Sequence, residues 1–211
     1  MKIYCIGGLG VDHRVFDAYT FNQEKIILKW INPLKQESLT SYSLRLIQEF
    51  RITSDDFIIG VSFGGLIAQV IQKHLGCQLI LISSLVDIQQ IPYIYRASGQ
   101  LKLHRLIPIF ILKKANLFTY WIFGVKQKEH KRILNSILQE TDSNVLKWSL
   151  DQIFKWKKLN TKHVSIHGQK DRLIHAKANA ILIKDAGHFM IITHKTELQK
   201  LIHKLILENQ V

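Results

Sequence analysis

Short runs of apolar and β-branched residues alternate with helix-like patterns along most of the chain. The runs predict strands over residues 2–6, 25–30, 56–60, 77–83, 162–167 and 178–184. Apolar residues at helical spacing predict helices over residues 38–50, 64–75 and 196–208. Nearly continuous apolar strands separated by helices are typical of a parallel sheet that is covered on both faces. We therefore predict an α/β fold with a doubly wound, mostly parallel sheet of about six strands.

This alternation stops between residues 87 and 158. The stretch holds three of the four tryptophans and shows helical patterns without a convincing strand. We interpret it as a helical insertion that forms a lid over the carboxyl edge of the sheet. The predicted division is a core of residues 1–86 and 159–211 and a lid of residues 87–158.

Composition and charge limit the class of protein. The 211 residues are 47% hydrophobic and 21% charged, with only 3 prolines, which excludes a disordered or low-complexity chain. The formal net charge is +13, and residues 101–160 contribute +8 of it through 12 Lys or Arg against 4 Asp or Glu. Such a charge attracts nucleic acid, anionic membranes or acidic proteins, although a generally basic proteome would explain it as well.

The two cysteines, Cys5 and Cys77, lie inside apolar stretches, and we expect both to be small core residues. The first ten residues lack the long apolar run and the cleavage pattern of a signal peptide. The most apolar local run, residues 106–112, is too short to span a bilayer. We therefore expect a cytoplasmic protein.

The sharpest local motif is GVSFGG, from Gly60 to Gly65, which follows a predicted strand and opens a predicted helix. This context fits the G-x-S-x-G nucleophile elbow. Gly60 and Gly64 have no side chains, so neighbouring backbone can pack around a sharp turn that strains the dihedrals of Ser62. The Ser62 hydroxyl would project at the start of the helix, where free N–H groups favour negative charge. The alternative is a glycine-rich turn with an incidental serine.

Two loops near the C-terminus supply candidates for an acid and a base. Asp171, in HGQKDRLI, and His188, in DAGHF, each follow a late predicted strand. A histidine on such a loop can take the serine proton, and a carboxylate can fix the tautomer of its ring. The chain order Ser62, Asp171, His188 across strand ends therefore predicts a catalytic triad.

These assignments have alternatives. Asp171 also suits a turn or a helix cap, and His188 is one of 10 histidines and could be an ordinary loop residue. Asp87 is the alternative acid, ranked below Asp171 because its surroundings are less specific. Asp12 is interpreted as a helix cap and Arg14 as the partner of a buried acid, with a role in binding substrate as the alternative.

The loop after the first predicted strand reads GGLG, residues 7–10. An acyl-transfer enzyme needs two backbone N–H groups aimed at the oxyanion. Phe63, which follows the candidate nucleophile, is expected to supply one, and Leu9 the other. The alternative is a turn that only lets the chain leave the strand. A phosphate-binding loop is disfavoured because the pattern G-x-x-x-x-G-K-[ST] is missing and GGLG is too short for G-x-G-x-x-G.

Through GGLG, GVSFGG, HGQKDRLI and DAGHF, the chain resembles the α/β-hydrolase superfamily, as a small serine-nucleophile member. The resemblance covers both parts of the predicted core. It implies these roles: nucleophile Ser62, base His188, acid Asp171, and oxyanion amides of Leu9 and Phe63. The family often has His-Gly where this chain has Gly7 and Gly8, and the chain begins at what looks like the family's third strand.

The function that the resemblance implies is hydrolysis of a carboxylic ester or thioester through an acyl-enzyme, with no metal or organic cofactor. The lid sequences LIPIFIL and LFTYWIF suggest an apolar acyl pocket, and the basic charge of the lid would suit an acidic acyl-carrier protein. Two alternatives stay open. One is an interfacial lipid or lysophospholipid hydrolase at an anionic membrane surface. The other is a non-catalytic protein that binds a ligand or nucleic acid, with nucleic acid disfavoured because no recognition motif accompanies the charge.

Overall fold

The centre of the protein is one sheet of six parallel strands, seen in a computed structural model that describes residues 1–9 and 14–208. The strands are β1 (Ile3–Ile6), β2 (Lys25–Leu28), β3 (Phe57–Val61), β4 (Gln78–Ile82), β5 (Val164–Gly168) and β6 (Ile181–Ile183). Their order is β2-β1-β3-β4-β5-β6, and all five pairings are parallel. The predicted α/β class and the parallel sheet of about six strands are confirmed.

Helices fill most of the connections between the strands. They are α1 (Arg14–Asp17), α2 (Leu39–Phe50), α3 (Phe63–Leu75), α4 (Tyr93–Gln100), α5 (Ile109–Leu112), α6 (Leu117–Phe123), α7 (Lys128–Glu140), α8 (Ser143–Lys155), α9 (Met190–Thr193) and α10 (Lys195–Glu208). Two short 3₁₀ helices cover Ile88–Gln90 and Leu103–Arg105. The whole connection from β4 to β5 is therefore built from helices and loops. None of the helices described is both long and apolar enough to cross a bilayer.

The central strands are apolar along their length because they serve two separate hydrophobic clusters. In β1, Ile3 and Cys5 belong to one cluster, whereas Tyr4 and Ile6 belong to the other. Strands β3 and β4 divide their side chains between the same two clusters in the same alternating way. Successive side chains of a strand point to opposite faces, so the two clusters lie on the two faces of the sheet. This explains why the sequence shows continuous apolar runs rather than alternating ones.

Both cysteines are buried and free, as expected for core residues. Burial raises the pKa of the Cys5 thiol to about 12 and that of Cys77 also to about 12. Neither thiol is therefore a nucleophile at neutral pH.

The candidate catalytic residues all lie at the carboxyl edge of the sheet. Parallel strands end on the same side of a sheet, and that carboxyl edge is where α/β proteins bind ligands. Ser62 directly follows β3, while Asp171 and His188 lie on the loops after β5 and β6. Three loops that are distant in sequence are thus brought to one rim.

Two predictions concern residues between β1 and α1 and at the start of α1. Asp12, interpreted as a helix cap, lies outside the described residues, as do His13 and Gly10. The partner predicted for Arg14 is a buried acid. Arg14 forms an ion pair of 2.9 Å with Glu140, whose side chain is 61% exposed because it lies at the surface end of α7.

Candidate active site

Ser62 occupies a strained turn between β3 and α3. Its backbone has φ 50° and ψ −120°, a combination that side-chain-bearing residues rarely adopt. The turn is held by three hydrogen bonds: the Ser62 N–H donates to the Ile82 carbonyl (2.9 Å), and the Ser62 carbonyl accepts from the Gly65 N–H (3.0 Å) and from Ser84 Oγ (2.7 Å). Strain that is fixed in this way is typical of a functional position.

The glycines of the motif make room for this turn. A Cβ on Gly64 would lie 2.3 Å from the Gly7 carbonyl oxygen and 2.4 Å from that of Ile6, at the end of β1. A Cβ on Gly60 would lie 2.6 Å from the Gly65 Cα. These obstacles are backbone atoms, which cannot turn aside as a side chain does. The spacing of the glycines is therefore a steric requirement of the elbow.

We expect Gly64→Ala to destabilise the fold by ~3 kcal/mol or more, the upper end of overpacking costs. The matched control is Gly76→Ala at the C-terminal end of α3, where φ is +76° but nothing lies within 4 Å of the new Cβ. That variant should cost ~1–2 kcal/mol from the left-handed backbone alone. Urea unfolding of both variants measures the two effects. Equal destabilisation by the two substitutions would contradict the steric account.

Ser62, His188 and Asp171 form one continuous chain of hydrogen bonds. His188 Nε2 lies 2.9 Å from Ser62 Oγ, and His188 Nδ1 lies 2.8 Å from Asp171 Oδ2. A carboxylate only accepts, so Nδ1 carries the proton of the neutral ring, and Nε2 is left to accept from the serine hydroxyl. The structure thus brings together all three side chains that the sequence nominates for the triad.

Asp171 is held by groups on both of its oxygens. Its side chain is fully buried, and Oδ1 accepts from the N–H groups of Leu173 (2.9 Å) and Ile174 (3.0 Å). Burial raises the pKa of Asp171, but the charges and hydrogen bonds of His188 and His167 outweigh burial and hold the pKa well below its ordinary value. The carboxylate is therefore ionised at neutral pH.

His167 is a site residue that the sequence analysis did not nominate. It is completely buried at the end of β5, with Nε2 3.0 Å from the Ile174 carbonyl oxygen and 3.4 Å from Asp171 Oδ2. A carbonyl oxygen only accepts, so Nε2 carries a proton and presents it to the side of the carboxylate that also faces His188. The available signal was its position as the first residue of HGQKD.

The loop after β1 lies against the candidate nucleophile. A Cβ on Gly8 would be 3.0 Å from Ser62 Cβ, which shows how closely the two backbones approach. Leu9 is half-buried and lines the same cavity as Ser62 and His188. Phe63 is the first residue of α3, so its N–H has no partner within the helix. Leu9 and Phe63 therefore lie beside the serine, and their role as oxyanion amides stays a prediction.

A cavity of about 330 Å³ opens beside the Ser62 hydroxyl and the His188 ring. Its lining is mainly apolar, as in sites that bury a small organic ligand. Helices α4, α6, α7 and α8 of the connection between β4 and β5 supply much of it, through Tyr95, Ser98, Phe123, Leu138, Leu150 and Phe154.

Asp87, the alternative acid, is placed in a different role. Its carboxylate accepts from the Gln89 N–H at 3.0 Å and caps the 3₁₀ helix Ile88–Gln90. It also lies 3.8 Å from Lys177 Nζ. The carboxylate that contacts His188 is that of Asp171.

Comparisons with known proteins establish the fold. No protein-family model matches the chain, and a search of curated protein sequences also finds no match. Among solved structures, a candidate lipase from Acinetobacter baumannii AYE is 16% identical with a TM-score of 0.74, covering 98% of this chain and 83% of that one. A lipase-esterase related protein from Clostridium acetobutylicum ATCC 824 is 13% identical with a TM-score of 0.71, covering 96% and 93%.

The meta-cleavage product hydrolase of Pseudomonas fluorescens IP01 is 14% identical with a TM-score of 0.69, covering 99% of this chain and 91% of that one. These likenesses show that the chain has the α/β-hydrolase fold. Identities this low carry the fold alone, because one fold hosts many reactions.

Proposed function

We propose that this protein is a serine hydrolase that cleaves a carboxylic ester through an acyl-enzyme. The observation that carries the proposal is the unbroken series of contacts from Ser62 Oγ through His188 to the buried, ionised Asp171. Nucleophile, base and orienting acid in this geometry are the parts that acyl transfer needs. The structural neighbours include a thermophilic esterase and an esterase from Exiguobacterium antarcticum, which supports the same class of reaction.

In the proposed mechanism, Ser62 Oγ attacks the ester carbonyl while His188 Nε2 takes the hydroxyl proton. The carbonyl electrons move onto oxygen, and the N–H groups of Leu9 and Phe63 stabilise that oxyanion. His188 then donates its proton to the leaving alkoxide as the bond to it breaks, which leaves Ser62 acylated. Water, deprotonated by His188, attacks the acyl carbon, and the acid is released as Ser62 regains its proton.

The apolar lining of the cavity favours an ester substrate whose acyl group is apolar. About half of its lining comes from residues 87–158, and we propose that this segment acts as the lid of the site. A thioester passes through the same intermediates, because only the leaving atom differs.

A fluorophosphonate probe tests the proposal, because it reacts with activated serines. We expect stoichiometric labelling of the wild type, an adduct located on the peptide containing Ser62, and protection by p-nitrophenyl esters of increasing chain length and by acyl thioesters. Ser62→Ala should not label, whereas Ser54→Ala, the matched control at an exposed loop serine, should label normally. An adduct elsewhere would move the nucleophile. A folded wild type that neither labels nor turns over esters would instead indicate a ligand-binding protein.

A further inference from the structure

One segment of the surface is unusually apolar. Of the 16 large hydrophobic side chains that are exposed in the described residues, 11 lie within residues 93–121. The most exposed are Leu117 (82%), Leu106 (78%), Tyr93 (77%), Leu101 (72%), Ile94 (71%) and Phe110 (69%). Monomeric soluble proteins rarely expose large apolar patches, and the larger patches mark interaction sites. We call residues 93–121 the exposed segment.

The exposed segment is also purely basic. It contains five Lys or Arg and no Asp or Glu, and the acid-free stretch extends over residues 88–128. An even distribution of the 16 acidic residues would place about three in those 41 positions. Within the described part of the chain, the ion pairs of the segment are those that His104 and Arg105 form with Asp151. Arg96, Lys102, Lys113 and Lys114 therefore have no acidic partner there.

We propose that the exposed segment docks this protein on an anionic phospholipid bilayer. The interface of a bilayer takes up apolar and aromatic side chains, while its anionic headgroups attract lysine and arginine. An acidic partner protein would complement the charges, but the exposed apolar side chains far outnumber the four cations without acidic partners. Protein surfaces that bind reversibly are not enriched in apolar area to that degree. The bilayer is therefore the better match for both features.

The same helices connect this surface to the candidate active site. Helix α4 exposes Tyr93 and Ile94 and lines the cavity with Tyr95. Helix α6 exposes Trp121, and its last residue, Phe123, lines the cavity. Docking would thus place the cavity lining next to lipid, and the substrate would be an acyl ester taken from the membrane. This last step rests on the proposed function, whereas membrane binding does not.

Vesicle flotation tests the docking directly. We expect the wild type and Ser62→Ala to float equally with phosphatidylcholine vesicles containing 30% phosphatidylserine, and both to bind pure phosphatidylcholine less. Binding should fall as sodium chloride rises, because the lysines are screened. Trp121, 54% exposed, should be quenched by brominated lipid, and Trp121→Phe should lose that component. Equal binding of Ser62→Ala separates docking from catalysis, so failure of either is recognised on its own.

Matched variants locate the surface. Lys113→Glu with Lys114→Glu should weaken partitioning into anionic vesicles by at least ~10-fold. The control, Lys195→Glu with Lys200→Glu in α10, makes the same change of charge at exposed positions and should bind normally. In the apolar arm, Leu117→Ser with Phe118→Ser should lose binding, whereas Leu207→Ser in α10, at a site about as exposed as Phe118 (59% against 60%), should retain it.

Several results would overturn the proposal. They are a wild type that stays unbound, equal binding to neutral and anionic vesicles, and equal effects of the two lysine pairs. A dimer in solution that Leu117→Ser with Phe118→Ser dissociates, without vesicle binding, would assign the surface to a second copy. The surface would be assigned to an acidic carrier protein by a different result. The wild type would not bind vesicles, it would turn over an acyl ester on such a carrier faster than the free ester, and the variant with both Lys113→Glu and Lys114→Glu would lose this advantage.

Discussion

Ser62→Ala is expected to lower kcat for a p-nitrophenyl ester by ~10⁵–10⁶-fold, the loss seen when a triad nucleophile is removed. The reason is that no covalent intermediate can form, and His188 then has no hydroxyl to deprotonate. Some rate above that of water should remain, because the N–H groups beside the site still stabilise an oxyanion. Steady-state kinetics with active-site titration of the wild type measures the ratio.

The fold of this variant should be unaffected. Alanine keeps a Cβ at the same positive φ as serine, and the hydrogen bonds that hold the elbow run through the Ser62 backbone. The free energy of unfolding, measured by thermal denaturation, should therefore match that of the wild type within ~0.5 kcal/mol, the range of substitutions that remove no structural feature. Ser54→Ala should keep full activity. If Ser62→Ala retained more than a few per cent of turnover while folded, another residue would have to be the nucleophile.

The sequence predicts the sheet well because each strand is a local signal. The central strands are apolar at nearly every position, since both faces are covered, and a run such as 77–83 can be recognised without knowing its neighbours. The order of the candidate residues, at the ends of β3, β5 and β6, follows once the strands are parallel. That is why Ser62, Asp171 and His188 could be nominated together before any distance was known.

Other features depend on tertiary placement, which local patterns do not encode. The sequence around His167 predicts a strand, and its contact with the Asp171 carboxylate depends on how the loop after β5 folds back. Arg14 finds Glu140 on a helix more than a hundred positions away, so the burial of its partner could not be read from its neighbours. The runs LIPIFIL and LFTYWIF suggested an interior pocket, yet Leu106, Phe110 and Leu117 are largely exposed. Apolar periodicity states that a face will be covered, and the covering partner need not belong to the same chain.

Asp171→Asn is expected to lower kcat by ~10⁴-fold with little change in the overall structure. The two N–H groups that donate to Oδ1 will select the carbonyl oxygen of the asparagine for that position. Its NH₂ group then faces His188 Nδ1, which must accept, so the ring proton moves to Nε2. A protonated Nε2 cannot accept from Ser62, and His167 Nε2–H would face a second donor. Asp185→Asn, the same change at an exposed ion pair with Lys170, should keep full activity.

The same variant has a stability effect with a defined sign. Because the folded state lowers the pKa of Asp171, its ionised form stabilises the wild type at pH values above the ordinary carboxyl pKa of ~3.9. That contribution is lost as the pH falls below ~4 towards the lower folded-state value. The difference in free energy of unfolding between wild type and Asp171→Asn should therefore shrink from pH 6 to pH 3 in urea titrations. A difference that stays constant would contradict the claim that the fold holds Asp171 ionised. A variant that keeps wild-type turnover would contradict the claim that the carboxylate orients His188.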